Sequence, residues 1–304
     1  MQLKTCQSLS DIMAVRQFLL DSYSEIGHLY NWEPRRWEGK LFHRNNKELL
    51  KQREAISHEV AILLDEKNQI QGVAIPEYDG GVFLQCSPDD ISTQEILVDW
   101  SLENLSQKAE NNMWLEVWCN ENDGLRQQIL DAKGFKPTSE HQIKRTQTLS
   151  SPKPLPELPE GYVVRNVDDS DADFEKIAEL LNAAFNRDFH SAEEYRNFAT
   201  LAPSYKSELE IVVQAPNGEF AAHAGFTAHD KESFVVVEPV CTHPNHQNLG
   251  LARIAIAEGL NRCLEMGIKT AYIEAWYSNP VSNHVYQQMG FAKPTCQFIW
   301  RKEF

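Results

Sequence analysis

The sequence predicts an α+β protein, a mixed α/β arrangement built from two similar halves in tandem. Three observations carry this. Two short strands ending in Glu-x-Trp, NMWLEVW (112–118) and TAYIEAW (270–276), stand far apart in the 304-residue chain. Each is followed by a polar turn, a short helical stretch and a Gly-Phe step, Gly134-Phe135 in one case and Gly290-Phe291 in the other. Between them lies SSPKPLPELPE, where Pro152, Pro154 and Pro156 favour an extended connector over helix or strand. The expected division is a first domain over 1–147, a Pro-rich linker over 148–160 and a second domain over 161–304.

The remaining elements repeat in the same order. Each half opens with a strand (LKTCQS; YVVRNV) and continues into a helix introduced by acidic or Ser residues (SLSDIMAVRQFLL; DDSDADFEKIAELLNAAF). Hairpin-like strands follow in HEVAILLDEKNQIQGVAIPEY and LEIVVQAPNGEFAAHAGFTA, whose turns EKNQ and PNGE supply polar and Asn-Gly turn chemistry. Both halves therefore read β-α-α-β-β-β-α-β-α-β, the pattern of an internal duplication.

Composition narrows the function classes. With 42% hydrophobic and 24% charged residues the chain is ordinary for a globular protein. No apolar run approaches the roughly 20 residues of a membrane helix. The stretch MQLKTCQSLSDIMAVRQFLL lacks the continuous apolar core of a secretory signal, so a cytoplasmic location is expected by elimination. Six cysteines (6, 86, 119, 241, 263, 296) are scattered singly, which is no disulfide framework. A net charge of −15 speaks against nucleic acid and mildly favours a cationic small molecule, although solubility alone accounts for it equally well. Oligomeric state is left open.

The sharpest local chemistry is in HPNHQNLGLA (243–252). It follows a β-branched strand, SFVVVEPVCT (233–242), in which Pro239 predicts a bulge or break in pairing. A helix is expected from about Gly250 to Met266, with Leu249, Ala252, Ile256, Leu260, Cys263 and Leu264 on its apolar face and Gly267 as its left-handed cap. A helix N-terminus presents unpaired N–H groups and the positive end of the macrodipole, and Gly250 and Ala252 leave room for a diphosphate to approach. No GK[ST] follows, so this is not a Walker loop. Cys241, His243 and His246 are of ligand type, but structural zinc needs four ligands and no second Cys/His pair is near in sequence. No metal is expected.

Gln247-Asn248-Leu249-Gly250-Leu251-Ala252 resembles the Q/R-x-x-G-x-G/A loop of the GCN5-related N-acetyltransferases (GNATs). Downstream, the stretch from Asn279 through Ser282, Tyr286 and Gly290 to Phe291 resembles the N-x-x-[SA]-x-x-x-Y-x-x-x-G-F segment of the same family. The resemblance covers the whole second half in element order and the first half as a degenerate copy. It implies two tandem GNAT-like domains, each with a mixed, mostly antiparallel sheet that contains a splayed parallel strand pair. It also implies acetyl-CoA as cosubstrate, its pantetheine arm against backbone groups of Val240, Cys241 and Thr242 and its diphosphate on residues 248–253, with Gln247 and Asn279 as further cofactor-binding residues. One departure is Gln247 where many relatives carry Arg, which shifts phosphate binding toward backbone N–H groups and Arg253.

The family assigns Tyr286 to protonating the CoA thiolate, on a helix that Asn279 caps and Pro280 begins. As an ordinary core aromatic, with Val281, Val285 and Met289 around it, Tyr286 would have a packing role only. Glu274 and Glu238 are both candidate bases, being carboxylates in apolar strands. The sequence does not separate them. Glu116 holds the place of Glu274 in the first half, which points equally to a role in packing.

The first half has lost the motif. Counting back from Gly134, Leu130 replaces the tyrosine, Arg126 the serine and Asp123 the asparagine, while CSPDDISTQEIL (86–97) offers no glycine and two repelling aspartates, Asp89 and Asp90. No CoA binding is expected there. In NWEPRRWEG (31–39), Trp32 and Trp37 beside Arg35 and Arg36 offer cation–π faces for an amine, or, as the preferred reading, cover a helix–sheet seam. The leading expectation is an enzyme that moves an acetyl group to the primary amine of a small molecule or peptide, with no nucleic-acid or membrane partner. A non-catalytic module that senses CoA or acetyl-CoA is the alternative.

Overall fold

The structure, a computed structural model, describes the chain except for residues 28, 29, 31, 46–53, 110, 111 and 229–232. The first half contains β1 (Gln2–Thr5), α1 (Leu9–Ile26), α2 (Pro34–Phe42), β2 (Ala61–Leu64), β3 (Ile70–Tyr78), β4 (Gly81–Cys86), α3 (Ile91–Asn104), β5 (Gln107–Ala109), β6 (Asn112–Asn120), α4 (Gly124–Ala132) and β7 (Lys136–Thr148). In the second are β8 (Val163–Asn166), α5 (Asp171–Phe185), α6 (Ala192–Leu201), β9 (Glu210–Gln214), β10 (Phe220–Ala228), β11 (Phe234–Thr242), α7 (Leu251–Glu265), β12 (Thr270–Trp276), α8 (Pro280–Gln288) and β13 (Ala292–Glu303). The second half follows the predicted order. The first adds the short β5 and a helical stretch over residues 54–59.

Helix starts follow local capping chemistry. Ser8 and Ser191 each form a capping box, with Asp11 and Glu194 respectively. Asp123 caps α4 by accepting from the Arg126 N–H, and Asn279 caps α8 by accepting from the Ser282 N–H, so the two halves keep the same device at matching places.

A single mixed sheet runs through the molecule in the order β1-β2-β3-β4-β6-β13-β7-β12-β11-β10-β9-β8, with β5 added beside β6. The centre of this order is an exchange. The last strand of the first half, β7, pairs antiparallel with β12, from Thr148 opposite Thr270 to Gln142 opposite Trp276. The last strand of the second, β13, pairs antiparallel with β6, from Gln297 opposite Asn120 to Glu303 opposite Trp114. These two strands also pair with each other. The backbone ladder is thereby continuous across both halves, and neither half closes its sheet alone.

Helices cover both faces. On one face of the second half, α7 packs on β9, β10 and β11 over Phe226, Ile254, Ile256, Leu260 and Cys263. The approach is close at Gly259, where an added Cβ would sit 2.0 Å from the Phe226 ring. On the opposite face α5 and α6 enclose Phe174, Ile177, Leu181 and Tyr195. A core of the first half, around Trp32, Trp37, Ile62 and Phe83, also takes in Phe198 and Ala202 from the second. No described helix is long and apolar enough to cross a membrane.

Candidate active site

Strands β11 and β12 run parallel and fork. They pair only from Phe234 opposite Thr270 to Val237 opposite Ile273, although β11 continues to Thr242 and β12 to Trp276. Over the diverging stretch β11 keeps its other neighbour, with Val240, Cys241 and Thr242 opposite Ala224, His223 and Ala222 of β10. The β12-facing edge of β11 is thus open where the pantetheine arm was expected. Pro239 does what a proline in a strand predicts: the β10–β11 register shifts between Ala224 and Phe226, opposite Glu238 and Pro239.

Beyond the fork, Pro244–His246 forms one 3-10 turn and Gln247, Asn248 and Leu249 are exposed. Gly250, in left-handed conformation (φ 75°), is the N-cap of α7 and no side chain caps it; the first helical bonds are from Arg253 and Ile254 to the Gly250 carbonyl. A Cβ at Gly250 would be strained by that φ and would approach the Arg253 guanidinium to 3.0 Å. These are the properties of a helix N-terminus that an anion can approach. Leu249, placed on the apolar helix face by the periodicity, is 44% exposed, because the chain turns at Gly250 before the helix begins.

Tyr286 is 5% exposed and packs with its ring 6.4 Å from that of Phe291. Burial raises its phenol well above the usual range; a hydrogen bond with Ser282 opposes this, and the Glu238 carboxylate adds to it. The group therefore stays protonated at neutral pH. Val281, expected beside it, is 72% exposed.

Glu238 and Glu274 come together beneath the fork on a residue of the other half. The Arg36 Nε donates to both Glu238 oxygens at 3.1 Å, and its Nη2 donates to Glu238 at 3.0 Å and also to Glu274. Glu274 further faces Lys144 of β7 at 3.8 Å. Burial raises the Glu238 carboxyl, Arg36 opposes without cancelling it, and Glu274 adds repulsion. For Glu274 burial also pushes upward, but Arg36 and Lys144 outweigh it and hold the carboxyl below its ordinary value. The two carboxylates are thus driven apart in acidity.

A cavity opens at this pair and is walled by both halves. Trp32, Glu33, Glu77, Phe83 and Trp118 of the first half line it together with Arg36 and Lys144, opposite Glu238 and Glu274. Residue 31 of the segment NWEPRRWEG lies outside the described residues. Trp32 and Trp37 are buried in the seam, at 3% and 0% exposure, and Trp32 and Arg36 also reach the cavity. Arg35 turns the other way, bonding Glu210 at 2.6 Å.

Residues 174–291 match the model of the acetyltransferase (GNAT) family. The match runs from within α5 to Phe291 and takes in both the Gly250 loop and the segment of Tyr286. Acyl-CoA-dependent acyl transfer is the general activity of that family. Whole-chain likeness in fold extends the picture to both halves. A GCN5-related N-acetyltransferase from Sphaerobacter thermophilus is 16% identical, with 99% of this chain and 95% of that one covered and a TM-score of 0.66. A tandem GNAT protein from the clavulanic acid biosynthesis pathway is 12% identical over 99% of this chain and 98% of its own, with a TM-score of 0.63. An acetyltransferase of the GNAT family from Colwellia psychrerythraea is 11% identical, with full coverage of both chains and a TM-score of 0.60. No curated protein matches the chain in sequence.

The first half has a fork too, and a side chain bonds across it. Strands β4 and β6 pair in parallel only at Gly81–Glu116 and Val82–Val117. Just beyond, the buried Arg126 guanidinium donates to the Leu84 carbonyl at 3.1 Å, to Gln94 at 3.0 Å and to the Cys86 sulfur at 3.4 Å. Asp90, in place of a glycine-bearing cradle, caps α3 through the Thr93 N–H. Glu116, the counterpart of Glu274, is bonded by Tyr78 and Arg301.

Two groups of described residues bring three ligand-type atoms together: Glu219 with His243 and His246, and Glu194 with His43 and His190. Hydrogen bonds engage both. Glu194 bonds His43 at 2.8 Å and His190 at 3.2 Å, while His246 bonds Glu219 and, at 2.8 Å, the Tyr162 hydroxyl.

Proposed function

We propose that the GNAT half transfers an acetyl group from acetyl-CoA directly to a primary amine bound in the cavity between the halves. The fork of β11 and β12 above two carboxylates is the observation that carries this reading. It sets an open strand edge for the pantetheine arm next to groups able to take a proton. Backbone groups of Val240, Cys241 and Thr242 would hold the arm, with the exposed loop Gln247-Asn248-Leu249, the N–H groups of Gly250, Leu251 and Ala252, and Arg253 at the diphosphate.

In this reading Glu238 is the base and Glu274 its fixed neighbour. Glu238 has the raised pKa and the more open side chain, 31% exposed against 15%, whereas Glu274 is held ionised by two cations. Glu238 removes a proton from the incoming ammonium, directly or through one water. The freed lone pair attacks the thioester carbonyl, and N–H groups near the Pro239 bulge receive the developing oxyanion. Collapse breaks the C–S bond, Tyr286 gives its proton to the leaving thiolate, and the surplus proton on the new amide nitrogen passes to solvent or back to the phenolate. A covalent acyl-cysteine route has little support, because burial pushes the Cys241 thiol up to about 12, a backbone hydrogen bond opposing only in part, so thiolate is scarce at neutral pH. Asn279 keeps the helix of Tyr286 in place as its N-cap. No metal enters this scheme.

The first half would then be silent toward CoA, its fork held by Arg126, and would serve as the wall of the acceptor site. One observation favours the alternative of a non-catalytic CoA-sensing module: Arg36 occupies both carboxylates. Tyr286→Phe separates the two readings. As an enzyme, the variant should lose about 100-fold in kcat in a thiol-release assay, with acetyl-CoA affinity nearly unchanged. Equal loss of affinity would make Tyr286 a packing residue, and the absence of any acyl transfer in the parent protein would favour the sensor.

A further inference from the structure

The charge pattern of the cavity selects among amines. Four carboxylates line it, Glu33, Glu77, Glu238 and Glu274, against two cations, Arg36 and Lys144. Both cations are already engaged. Arg36 is shared among Glu238, Glu274 and, at 3.5 Å, Glu77, and Lys144 faces Glu274. A guanidinium that spans three carboxylates has little left to offer an anion, so a substrate carboxylate entering here would meet excess negative charge. Trp32, Phe83 and Trp118 complete the wall of this cavity of about 20 Å³ with aromatic faces suited to an ammonium group.

We infer that the acceptor is a dicationic or polycationic amine, one ammonium directed at Glu238 and a second held by carboxylates of the first half, and that amino-acid-like acceptors are excluded by their carboxylate. This rests on the acyl-transfer reading for the location of the acceptor. Glu77 is the first-half carboxylate best placed to discriminate: its side chain is 23% exposed, and it bonds the Trp32 indole as well as Arg36. In this arrangement the two halves divide the work, the second carrying the chemistry and the first counting charges on the acceptor.

The test uses three probes of matched length: 1,4-diaminobutane, butylamine and 4-aminobutanoate, with net charges of about +2, +1 and 0 at neutral pH. A calorimetric titration with CoA comes first. Each probe is then titrated into CoA-saturated protein at low and at high salt, and thiol release from acetyl-CoA is followed with each. The diamine should bind about tenfold tighter than the monoamine, the worth of one charge-assisted hydrogen bond, and the zwitterion weakest of all. High salt should narrow the gap, and Glu77→Gln should weaken the diamine while barely moving the monoamine. Equal affinities, tighter binding of the zwitterion or no binding of the diamine would each overturn the inference, even with CoA bound and acyl transfer intact. Failure of CoA to bind would instead remove the acyl-transfer reading, and the same charge series on the free protein would still decide the selectivity.

Discussion

Arg36 leaves the first half and holds two carboxylates of the second, and this one side chain sets how the site responds to pH. Its positive charge lowers both Glu238 and Glu274, against burial that raises them. Removing it leaves burial and mutual repulsion opposed by Lys144 alone, so the pair must ionise at higher pH. Arg36→Ala should therefore move the acid limb of the kcat/KM profile to higher pH, and the limb belongs to the coupled pair rather than to either residue. An unmoved limb, or a shift to lower pH, would mean that neither carboxylate is the base. The separation of these two glutamates was not legible in the sequence, since nothing in positions 36, 144, 238 and 274 announces that they meet. Asn279 and Gly250 were legible, because capping and left-handed turns are settled within a few residues of chain. Leu249 and Val281 show where periodicity overreaches: both flank a helix start, where chain direction and not the 3.6-residue repeat decides exposure.

Among the elements, α7 is the best specified by its sequence and the most constrained by its surroundings. Its ends were predicted to within a residue from Gly250 and Gly267. What the sequence did not convey is why Gly259 lies in its interior. Gly→Ala in a helix gains up to about 1 kcal/mol of propensity. Here the new methyl would press into Phe226, and overpacking of that kind costs about 1–3 kcal/mol. Gly259→Ala should thus lower the denaturant midpoint. A rise would show that α7 does not approach β10 so closely. The forks are a matter of elements too: the β-branched run of β11 was readable as a strand, but its divergence from β12 at Val237 depends on a partner distant in sequence.

At the scale of the whole molecule the exchange of β7 and β13 decides how the halves depend on each other. The duplication and the order of elements could be read because they repeat locally. The exchange could not, because a strand does not encode which edge it will join. Were residues 161–304 produced alone, β12 would lose β7 and expose an apolar edge, while β13 would have neither of its neighbours. That fragment should be aggregated or insoluble, and co-expression with residues 1–160 should rescue it. A soluble, cooperatively folding fragment would show that the exchange contributes little. The same interlock carries α2 and its Arg36 to the carboxylates of the other half, so that the cavity lined by both halves exists only in the joined chain.

A first half closed to CoA leaves one working cradle per chain. Calorimetric titration of the full chain with acetyl-CoA, repeated on Gly250→Trp, measures this directly. One site per chain, lost in the variant, is the predicted result, with the second half binding at the N-terminus of α7 and the first half closed by Arg126. Two sites would contradict the silence of the first half, and no site would contradict the cradle itself.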